Sequence, residues 1–215
     1  MKTIVYIDGF NLYYGLLRGT RNMWLDLERF AQSLLTDQHS IIELKYFTAR
    51  VRGDMYDDIS AHDQFCYLRA LGANPRIKIV EGFYKRYRAK MPFVKEPCRS
   101  CDKADYATVW KVEEKKSDVN LAVEMLTDAY EDRADVFALV SGDSDQAAPL
   151  SVVRRRLGKK TVVFNPHSGD SVELRKLTTF YRNIPRELPP KCQLPDEVVL
   201  PDGTAVHRPL AWAKP

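Results

Sequence analysis

The sequence predicts an α/β fold with a parallel sheet, because short apolar runs alternate along it with segments of helical periodicity. Five runs have the length of buried strands: residues 2–7, 41–49, 77–83, 136–140 and 161–164. Parallel strands joined through helices require helices on both faces of the sheet. With 215 residues, 45% of them hydrophobic and 29% charged, the chain suits one large domain or a core domain with an appendage.

Helices are predicted where apolar residues recur three or four positions apart: residues 24–35, 59–71, 119–130, 150–157 and 170–180. Two of these helices are followed by a glycine, Gly72 or Gly158, which is a common stop signal. Asp170 lies three residues before Glu173, the spacing of a capping box at the start of the last helix. These limits leave residues 84–105 as an insertion, which is followed by a segment of alternating character.

The composition changes after residue 183, so we divide the chain into a domain at 1–183 and a proline-rich tail at 184–215. Seven of the twelve prolines lie from Pro185 onward, a density that disfavours helices and central strands. The turn sequence at 201–203 lies between residues 197–200 and 204–207 and predicts a small hairpin. We expect the tail to wrap the domain or to join copies into a homo-oligomer. The sequence identifies no protein partner.

Composition also argues against membrane and secreted classes of protein. No stretch approaches the roughly 20 apolar residues of a membrane span, and the first residues enter a strand pattern without the layout of a signal peptide. The four cysteines are spread over the whole length and form no disulfide framework. We therefore expect a cytoplasmic protein without membrane contact, since thiols stay reduced in that compartment.

Four aspartates and one asparagine lie where predicted strands end or a helix begins. Asp8 and Asn11 follow the first strand, Asp118 precedes a helix, and Asp143 and Asp145 follow the strand at 136–140. Because ligands of open parallel sheets bind beyond the carboxyl ends of the strands, we expect these side chains to meet at one edge. Gathered carboxylates repel one another unless a hard divalent cation lies between them. The pattern therefore predicts metal-assisted phosphate chemistry.

Asp118 is expected to face the sheet from the first turn of its helix. It shares a stripe with Ala122, Met125 and Ala129, and it lies beside Ser117, which is a suitable N-cap. Taken singly, each aspartate also has an ordinary structural explanation. Turn residues, helix caps and acids that favour the helix macrodipole all occur at such positions.

The insertion at about 84–105 combines basic and aromatic residues, which is typical of a surface that binds unpaired RNA. The basic side chains are Lys85, Arg86, Arg88, Lys90, Lys95 and Arg99, and the aromatic ones are Tyr84, Tyr87 and Phe93. A flexible, solvated loop explains the same composition equally well. RNA is therefore the expected partner, with a bystander loop as the alternative.

Cys98 and Cys101 have half of the spacing of a zinc ribbon. A closed structural zinc site needs four ligands, and the insertion contains no second cysteine pair. Reduced free thiols are thus favoured over structural zinc at Cys98 and Cys101, with a transient disulfide less favoured in the cytosol.

Three segments of the chain resemble the signature blocks of the NYN domain family of PIN-like nucleases. They are Tyr6-Ile-Asp-Gly-Phe-Asn11, Glu114-Lys-Lys-Ser-Asp-Val-Asn120 and Leu139-Val-Ser-Gly-Asp-Ser-Asp145. The resemblance covers roughly residues 1–181, with the blocks in order and properly spaced. It departs at Gln146-Ala147, where many relatives carry a bulky apolar residue, and it leaves the tail outside.

The resemblance implies a PIN-like sandwich around a parallel sheet and a Mg²⁺- or Mn²⁺-dependent ribonuclease. It assigns Asp8, Asp118, Asp143 and Asp145 to the metal cluster and Asn11 to an accompanying polar ligand, as catalytic residues. Ser141, inside the third block, would assist through its hydroxyl.

Hydrolysis of RNA phosphodiester bonds by a metal-activated water is therefore the predicted function. The four histidines match no proton relay, and the sequence shows neither a nucleophilic triad nor a phosphate-binding glycine loop. The alternative is a non-cleaving RNA-binding or scaffold protein with the same fold. The intact carboxylates favour cleavage, because a pure binder gains nothing from anions directed at phosphate.

Overall fold

The computed structural model describes residues 1–51, 60–92 and 106–213. In chain order the strands are β1 (Lys2–Asp8), β2 (Ser40–Thr48), β3 (Ile77–Glu81), β4 (Phe83–Pro92), β5 (Tyr106–Lys115), β6 (Val136–Val140), β7 (Lys160–Asn165), β8 (Phe180–Asn183), β9 (Glu197–Val199) and β10 (Ala205–His207). The α-helices are α1 (Gly9–Leu12), α2 (Leu27–Leu34), α3 (Ala61–Gly72), α4 (Ser117–Tyr130), α5 (Ala147–Ser151) and α6 (Val172–Leu177). Among the described helices, none has the length and apolar character to cross a membrane.

The centre of the fold is a six-stranded parallel sheet in the order β3-β2-β1-β6-β7-β8. From β1 the chain moves outward through β2 to β3, then returns to β6 and moves outward in the other direction. The strand order therefore reverses between β1 and β6, and their carboxyl ends border the crevice where such sheets bind ligands. The predicted α/β class is confirmed, and the sheet with its flanking helices is consistent with a PIN-like fold.

Alternate residues of the central strands enter two separate cores. Val5 and Ile7 of β1 face the core that α2, α3 and the tail cover, whereas Ile4 and Tyr6 face the core beneath α4 and α5. Both faces of the strands are apolar because helices cover both, and this explains the uninterrupted runs in the sequence.

A buried ionic network holds α4 on the sheet. The Nζ atom of Lys45, only 1% exposed, lies 2.5 Å from Asp128 and 2.6 Å from Glu124 of α4. The Tyr6 hydroxyl donates to Asp128 at 2.6 Å, and Arg133 donates to its other oxygen at 2.6 Å. Burial alone would raise the pKa of Asp128, but these donors hold it below its usual value. Because buried charges are tolerated only when they are paired, the network determines the position of α4.

The insertion begins as a long β-hairpin, which we call the arm. Its strands β4 and β5 are antiparallel from the pair Phe83–Lys115 to the pair Pro92–Tyr106. The predicted third strand at 77–83 therefore divides at Gly82, and the flexible-loop alternative is wrong for residues 83–92. The alternation of basic and aromatic residues in β4 is a strand pattern, but the partner strand β5 begins only at Tyr106. Lys95, Arg99, Phe93, Cys98 and Cys101 lie outside the described residues.

The tail packs on the domain and completes the first core. Trp24 donates from Nε1 to the carbonyl oxygen of Pro195 at 2.7 Å, and the amide of Leu194 donates to the carbonyl oxygen of Trp24 at 3.0 Å. Trp212 lies with its ring centroid 6.5 Å from Trp24 and 6.0 Å from Tyr67. The hairpin predicted in the tail is present as β9 and β10. Tail residues thus bury apolar surface that the central sheet and helices leave open.

The last helix differs from its prediction. α6 begins after Ser171, whose hydroxyl accepts from the amide of Leu174 at 3.5 Å, so the predicted capping box at Asp170 is wrong. Phe180 is not helical but begins β8, the edge strand that pairs with β7. Four residues give too short a pattern for β8 to be recognised without its partner.

Candidate metal centre

Asp8 is the buried member of the acidic group. It ends β1 and caps α1, with Oδ1 accepting from the amide of Asn11 at 3.0 Å and Oδ2 accepting from the Ser141 hydroxyl at 3.0 Å. Asp8 is only 4% exposed to solvent. Burial, followed by the charges of Asp118 and Asp143, raises the pKa of Asp8 to about 6 despite these hydrogen bonds. The site therefore holds a carboxylate in a position that favours its neutralisation by a proton or a cation.

Gly9 allows the chain to turn sharply after Asp8. A Cβ atom at this position would lie 2.5 Å from the carbonyl oxygen of Phe47 and 2.9 Å from the ring of Tyr46. Any side chain here would push α1 away from β2 and move Asp8 with it. The glycine is thus required by a close approach and not by an unusual backbone angle.

The loop after β6 brings Asp143 to Asp8. The Ser141 hydroxyl accepts from the amide of Asp143 at 3.1 Å while it donates to Asp8, so one hydroxyl joins the two segments. A Cβ atom at Gly142 would lie 2.3 Å from Oδ1 of Asn165, which explains the glycine there. The predicted assistance from Ser141 takes the form of positioning, since both of its contacts are to the acidic loops.

Asp118 comes from the start of α4. The helix follows Lys116, which has a left-handed backbone with φ 81°, and Glu114 accepts from the amide of Ser117 at 3.0 Å and from its hydroxyl at 2.6 Å. Ser117 is therefore not the N-cap that was predicted, because a carboxylate from β5 supplies the acceptor. Asp118 is solvent-exposed, so the expectation that it is turned away from open water is wrong, although its carboxylate lies near Asp8 and Asp143. Partial burial of its carboxyl group and the charges of Asp143 and Glu114 raise its pKa.

Asp8, Asp118 and Asp143 form a compact carboxylate group. One oxygen from each lies within 4.8 Å of the others. Hard oxygen donors at such spacing are the ligands that Mg²⁺, Mn²⁺ and Ca²⁺ prefer, and soft sulfur or imidazole ligands do not take part in the group. The residues present thus fit the divalent cation that the sequence predicts.

Asp145 lies outside this group, and its assignment as a metal ligand stays a prediction. Its amide donates to Oδ1 of Asp143 at 2.9 Å, and its own side chain is exposed at the start of the turn Ser144–Gln146. Its charge nevertheless contributes to the raised pKa of Asp118. Asp145 therefore acts on the site through its amide and its field.

Asn11 was predicted as a polar ligand, but its carboxamide oxygen has other partners. It accepts from the amide of Gly142 at 2.7 Å and lies 3.0 Å from Nε2 of His167. Asn11 consequently fastens the Asp143 loop to α1. His167 also borders the acidic pocket, and the sequence analysis missed it. It follows β7 closely, so the strand-end rule that selected Asp8 would also have selected His167.

An apolar cavity adjoins the acidic pocket. Phe10 and Tyr14 border both, and the cavity is also lined by Tyr46, Tyr67 and Trp212. These rings come from segments far apart in the chain, so no local pattern could have predicted their assembly.

The arm separates the predicted RNA-binding residues onto opposite faces. Arg86, Arg88 and Lys90 share what we call the tryptophan face with Trp110 and Tyr106, because directly paired and alternate residues of a hairpin point to one side. The opposite or lysine face carries Lys85, Tyr87, Lys111, Glu113 and Lys115. Tyr84 is only 7% exposed and packs edge-on against Phe10 with centroids 5.7 Å apart. The expectation that Tyr84 offers a stacking surface is therefore wrong.

Comparison with known proteins is consistent with this geometry. A family model described as the NYN domain matches residues 2–182. The chain is 32% identical to 6-hydroxy-3-succinoylpyridine 3-monooxygenase HspA of Pseudomonas putida over 238 aligned positions, which cover 99% of this chain and 75% of that protein. A crystal structure of a protein of unknown function from Vibrio parahaemolyticus has a TM-score of 0.53 and 19% identity, with coverage of 87% of this chain and 94% of the other. That likeness shows a shared fold.

Proposed function

We propose that this chain, which belongs to the NYN domain family of PIN-like nuclease domains, is a divalent-metal-dependent ribonuclease that hydrolyses phosphodiester bonds at its aspartate cluster. The observation that supports this function most strongly is the convergence of Asp8, Asp118 and Asp143 from three segments at the carboxyl edge of the sheet. Carboxylates are expensive to gather without a cation, and one of them is almost fully buried. Such an arrangement lowers the stability of the metal-free fold, and the need to bind a catalytic cation explains it.

Mg²⁺ or Mn²⁺ is the cofactor that this donor set favours. A cation bound by Asp8, Asp118 and Asp143 would neutralise charge on a phosphate and lower the pKa of a water molecule. The other residues of the pocket determine the shape of the site. Ser141 and the Asn11 amide hold Asp8, Asn11 holds the loop of Asp143, and Glu114 holds the start of α4.

The decisive experiment incubates the purified protein with labelled single-stranded and structured RNAs in Mg²⁺, in Mn²⁺ and in excess chelator. Cleavage is expected with either metal and is expected to stop in chelator. Asp143→Asn should abolish cleavage, whereas the control Asp170→Asn, which changes an exposed carboxylate outside the pocket, should cleave RNA like the wild type. Full activity of Asp143→Asn, or of the wild type in chelator, would exclude a metal-dependent nuclease.

The alternative of a non-cleaving RNA-binding or scaffold protein is tested by the same samples. It predicts that RNA shifts in a binding assay while remaining intact with both metals. The grouping of acids where phosphate would lie favours cleavage, because three carboxylates weaken the binding of a polyanion unless a cation offsets them.

The name of the Pseudomonas relative provides a second candidate, oxygenation of a small hydroxylated pyridine. The observation that favours it is the apolar cavity whose walls Phe10 and Tyr14 share with the acidic pocket. Monooxygenation consumes dioxygen and two electrons from a reductant, so it is measured as oxygen uptake with 6-hydroxy-3-succinoylpyridine and a reduced nicotinamide. Substrate-dependent uptake by a protein that leaves RNA intact would replace the ribonuclease proposal with this one.

A further inference from the structure

The two faces of the arm differ in how their charges are arranged. On the lysine face, Lys111 and Lys115 both contact Glu113, whose pKa is lowered to about 2 by these contacts and by Tyr87. Two of the three lysines of this face are thus paired with Glu113. Among the described residues of the arm, the tryptophan face carries one acidic residue, Glu114, at the base of the hairpin. Farther out this face carries Arg86, Arg88 and Lys90 around Trp110.

Trp110 is the exposed centre of the tryptophan face. It is 56% exposed, although a large apolar ring on a solvated hairpin gains nothing from water. The Arg86 and Arg88 guanidinium groups lie 4.6 Å and 5.2 Å from its ring centroid. Cation–π contacts of this kind keep a ring in place on the surface and put positive charge around it. The result is an exposed aromatic ring with two guanidinium groups held against it.

The tryptophan face leads into the acidic pocket. Its innermost pair is Tyr84 with Glu114, and Glu114 borders the same pocket as Asp118 and Asp143. Tyr84 packs on Phe10, which borders that pocket from the other side. Trp110 lies four residues along β5 from Glu114, a distance of roughly 13 Å at the rise of a β-strand. A strand of a few nucleotides spans this distance.

We infer that the tryptophan face of the arm binds single-stranded RNA, with one base stacked on Trp110 and backbone phosphates held by Arg86, Arg88 and Lys90, and directs it toward the aspartate cluster. This inference rests on the proposed function, because it treats the bound strand as the substrate. A stacking platform requires an unpaired base, which favours a single strand over a duplex. Lys85 and Tyr87 lie on the opposite face and take no part in this contact.

Binding is measured in chelator, so that no cleavage is needed for a result. Fluorescein-labelled single-stranded RNA and its duplex are titrated against the full chain over a range of salt concentrations. Two matched pairs of variants separate the faces: Trp110→Ala with Tyr87→Ala for the rings, and Arg88→Ala with Lys85→Ala for the charges. Thermal melts of the four variants show that each one is folded before its affinity is compared.

Trp110→Ala should weaken single-strand binding by about 10-fold or more, the usual effect of losing one stacked base, and Trp110→Phe should restore part of it. Arg88→Ala should reduce the slope of log affinity against log salt by about 0.7, the value for one phosphate contact on a single strand. Tyr87→Ala and Lys85→Ala should leave affinity and slope near the wild type. Because Trp24 and Trp212 are buried, quenching of tryptophan fluorescence by bound RNA should be largely lost in Trp110→Phe.

Equal losses from both faces, or unchanged binding in Trp110→Ala, would overturn the inference. Duplex that binds as tightly as the single strand and ignores Trp110→Ala would overturn it as well. RNA that binds through Trp110 but is never cleaved with metal would refute the proposed function and leave the binding face standing. RNA cleavage with normal binding in Trp110→Ala would refute the binding face alone.

Discussion

The acidic pocket and the arm meet at Glu114 but are built in opposite ways. In the pocket, the segments of Asp8 and Asp143 hold each other through side-chain hydrogen bonds, and Asp8 is almost fully buried. Beyond its base, the arm is held by one antiparallel ladder and exposes its cations and its tryptophan. Chemistry on phosphate requires preorganised groups, whereas binding of varied strands requires accessible ones. Substitutions in the pocket should therefore change rate or stability, and those in the arm should change affinity.

The largest expected effect is on the support of the pocket. Lys45→Met leaves Asp128 and Glu124 without their buried cation and should lower the free energy of unfolding by about 3–5 kcal/mol. The matched control is Lys78→Met, because Lys78 contacts the same Glu124 at 3.0 Å but is exposed, and such a pair is worth about 1 kcal/mol or less. Urea denaturation compares the two variants. Equal losses would show that the network does not anchor α4.

Asp118 tests how strictly the pocket depends on geometry. Asp118→Glu keeps the charge in the first turn of α4, so thermal stability should change by tenths of a kcal/mol. Its longer arm displaces the carboxylate, and cleavage should fall by about 10²-fold, as for a catalytic group misplaced by an ångström. Mn²⁺ should restore part of the rate, since Mg²⁺ demands near-ideal octahedral geometry. Wild-type rates in both Asp118→Glu and Asp118→Asn would remove Asp118 from the site.

The ionisation of Asp8 makes the stability of the metal-free protein depend on pH. Its folded pKa of about 6 lies above the ordinary value of 3.8, so the metal-free fold prefers the protonated form. The stability that this proton contributes is complete below about pH 4 and is lost as pH rises through about 6. Asp8→Asn removes this dependence and should make the metal-free protein about 1–3 kcal/mol more stable than the wild type at pH 7.

Melts in chelator between pH 4 and pH 8 measure this difference, with Asp170→Asn, an exposed carboxylate outside the pocket, as a control that should follow the wild type. Saturating Mg²⁺ should reverse the order at pH 7, because it stabilises the protein that binds it. A wild-type melting temperature that does not change between pH 4 and pH 8 in chelator would show that Asp8 titrates at its ordinary value.

The smallest expected effect separates the two regions by kinetics. Trp110→Ala should raise the KM for single-stranded RNA by about 10-fold with kcat within about twofold, because a contact made equally in ground and transition states contributes only to binding. Asp143→Asn should show the converse, a collapse of kcat. Steady-state rates over a wide range of RNA concentration measure both. A fall of kcat in Trp110→Ala would show that the arm contributes to the chemical step and not only to binding.

Many of the features predicted correctly have local signals. The strand at 136–140 matches β6 residue for residue, and the family blocks selected Asp8, Asp118 and Asp143 before their geometry was known. Strand termini and helix starts are marked within a few residues, and the topology of a parallel sheet sends them to one edge. The same rule also selected Asp145 and Asn11, whose roles as ligands stay predictions. Whether a side-chain oxygen points into the acidic pocket depends on hydrogen bonds from other segments of the chain.

The sequence by itself determined the α/β class, the family and the edge at which the acids meet, because periodicity and turn chemistry operate over neighbouring residues. Only the tertiary structure decided that Trp110 joins Arg86 and Arg88 on one face while Lys85 lies on the other. The side of a strand that a residue occupies is local, but which strand lies beside it, and in what register, is not. The pairing of β4 with β5 across the intervening residues therefore formed the tryptophan face from separate stretches of the chain.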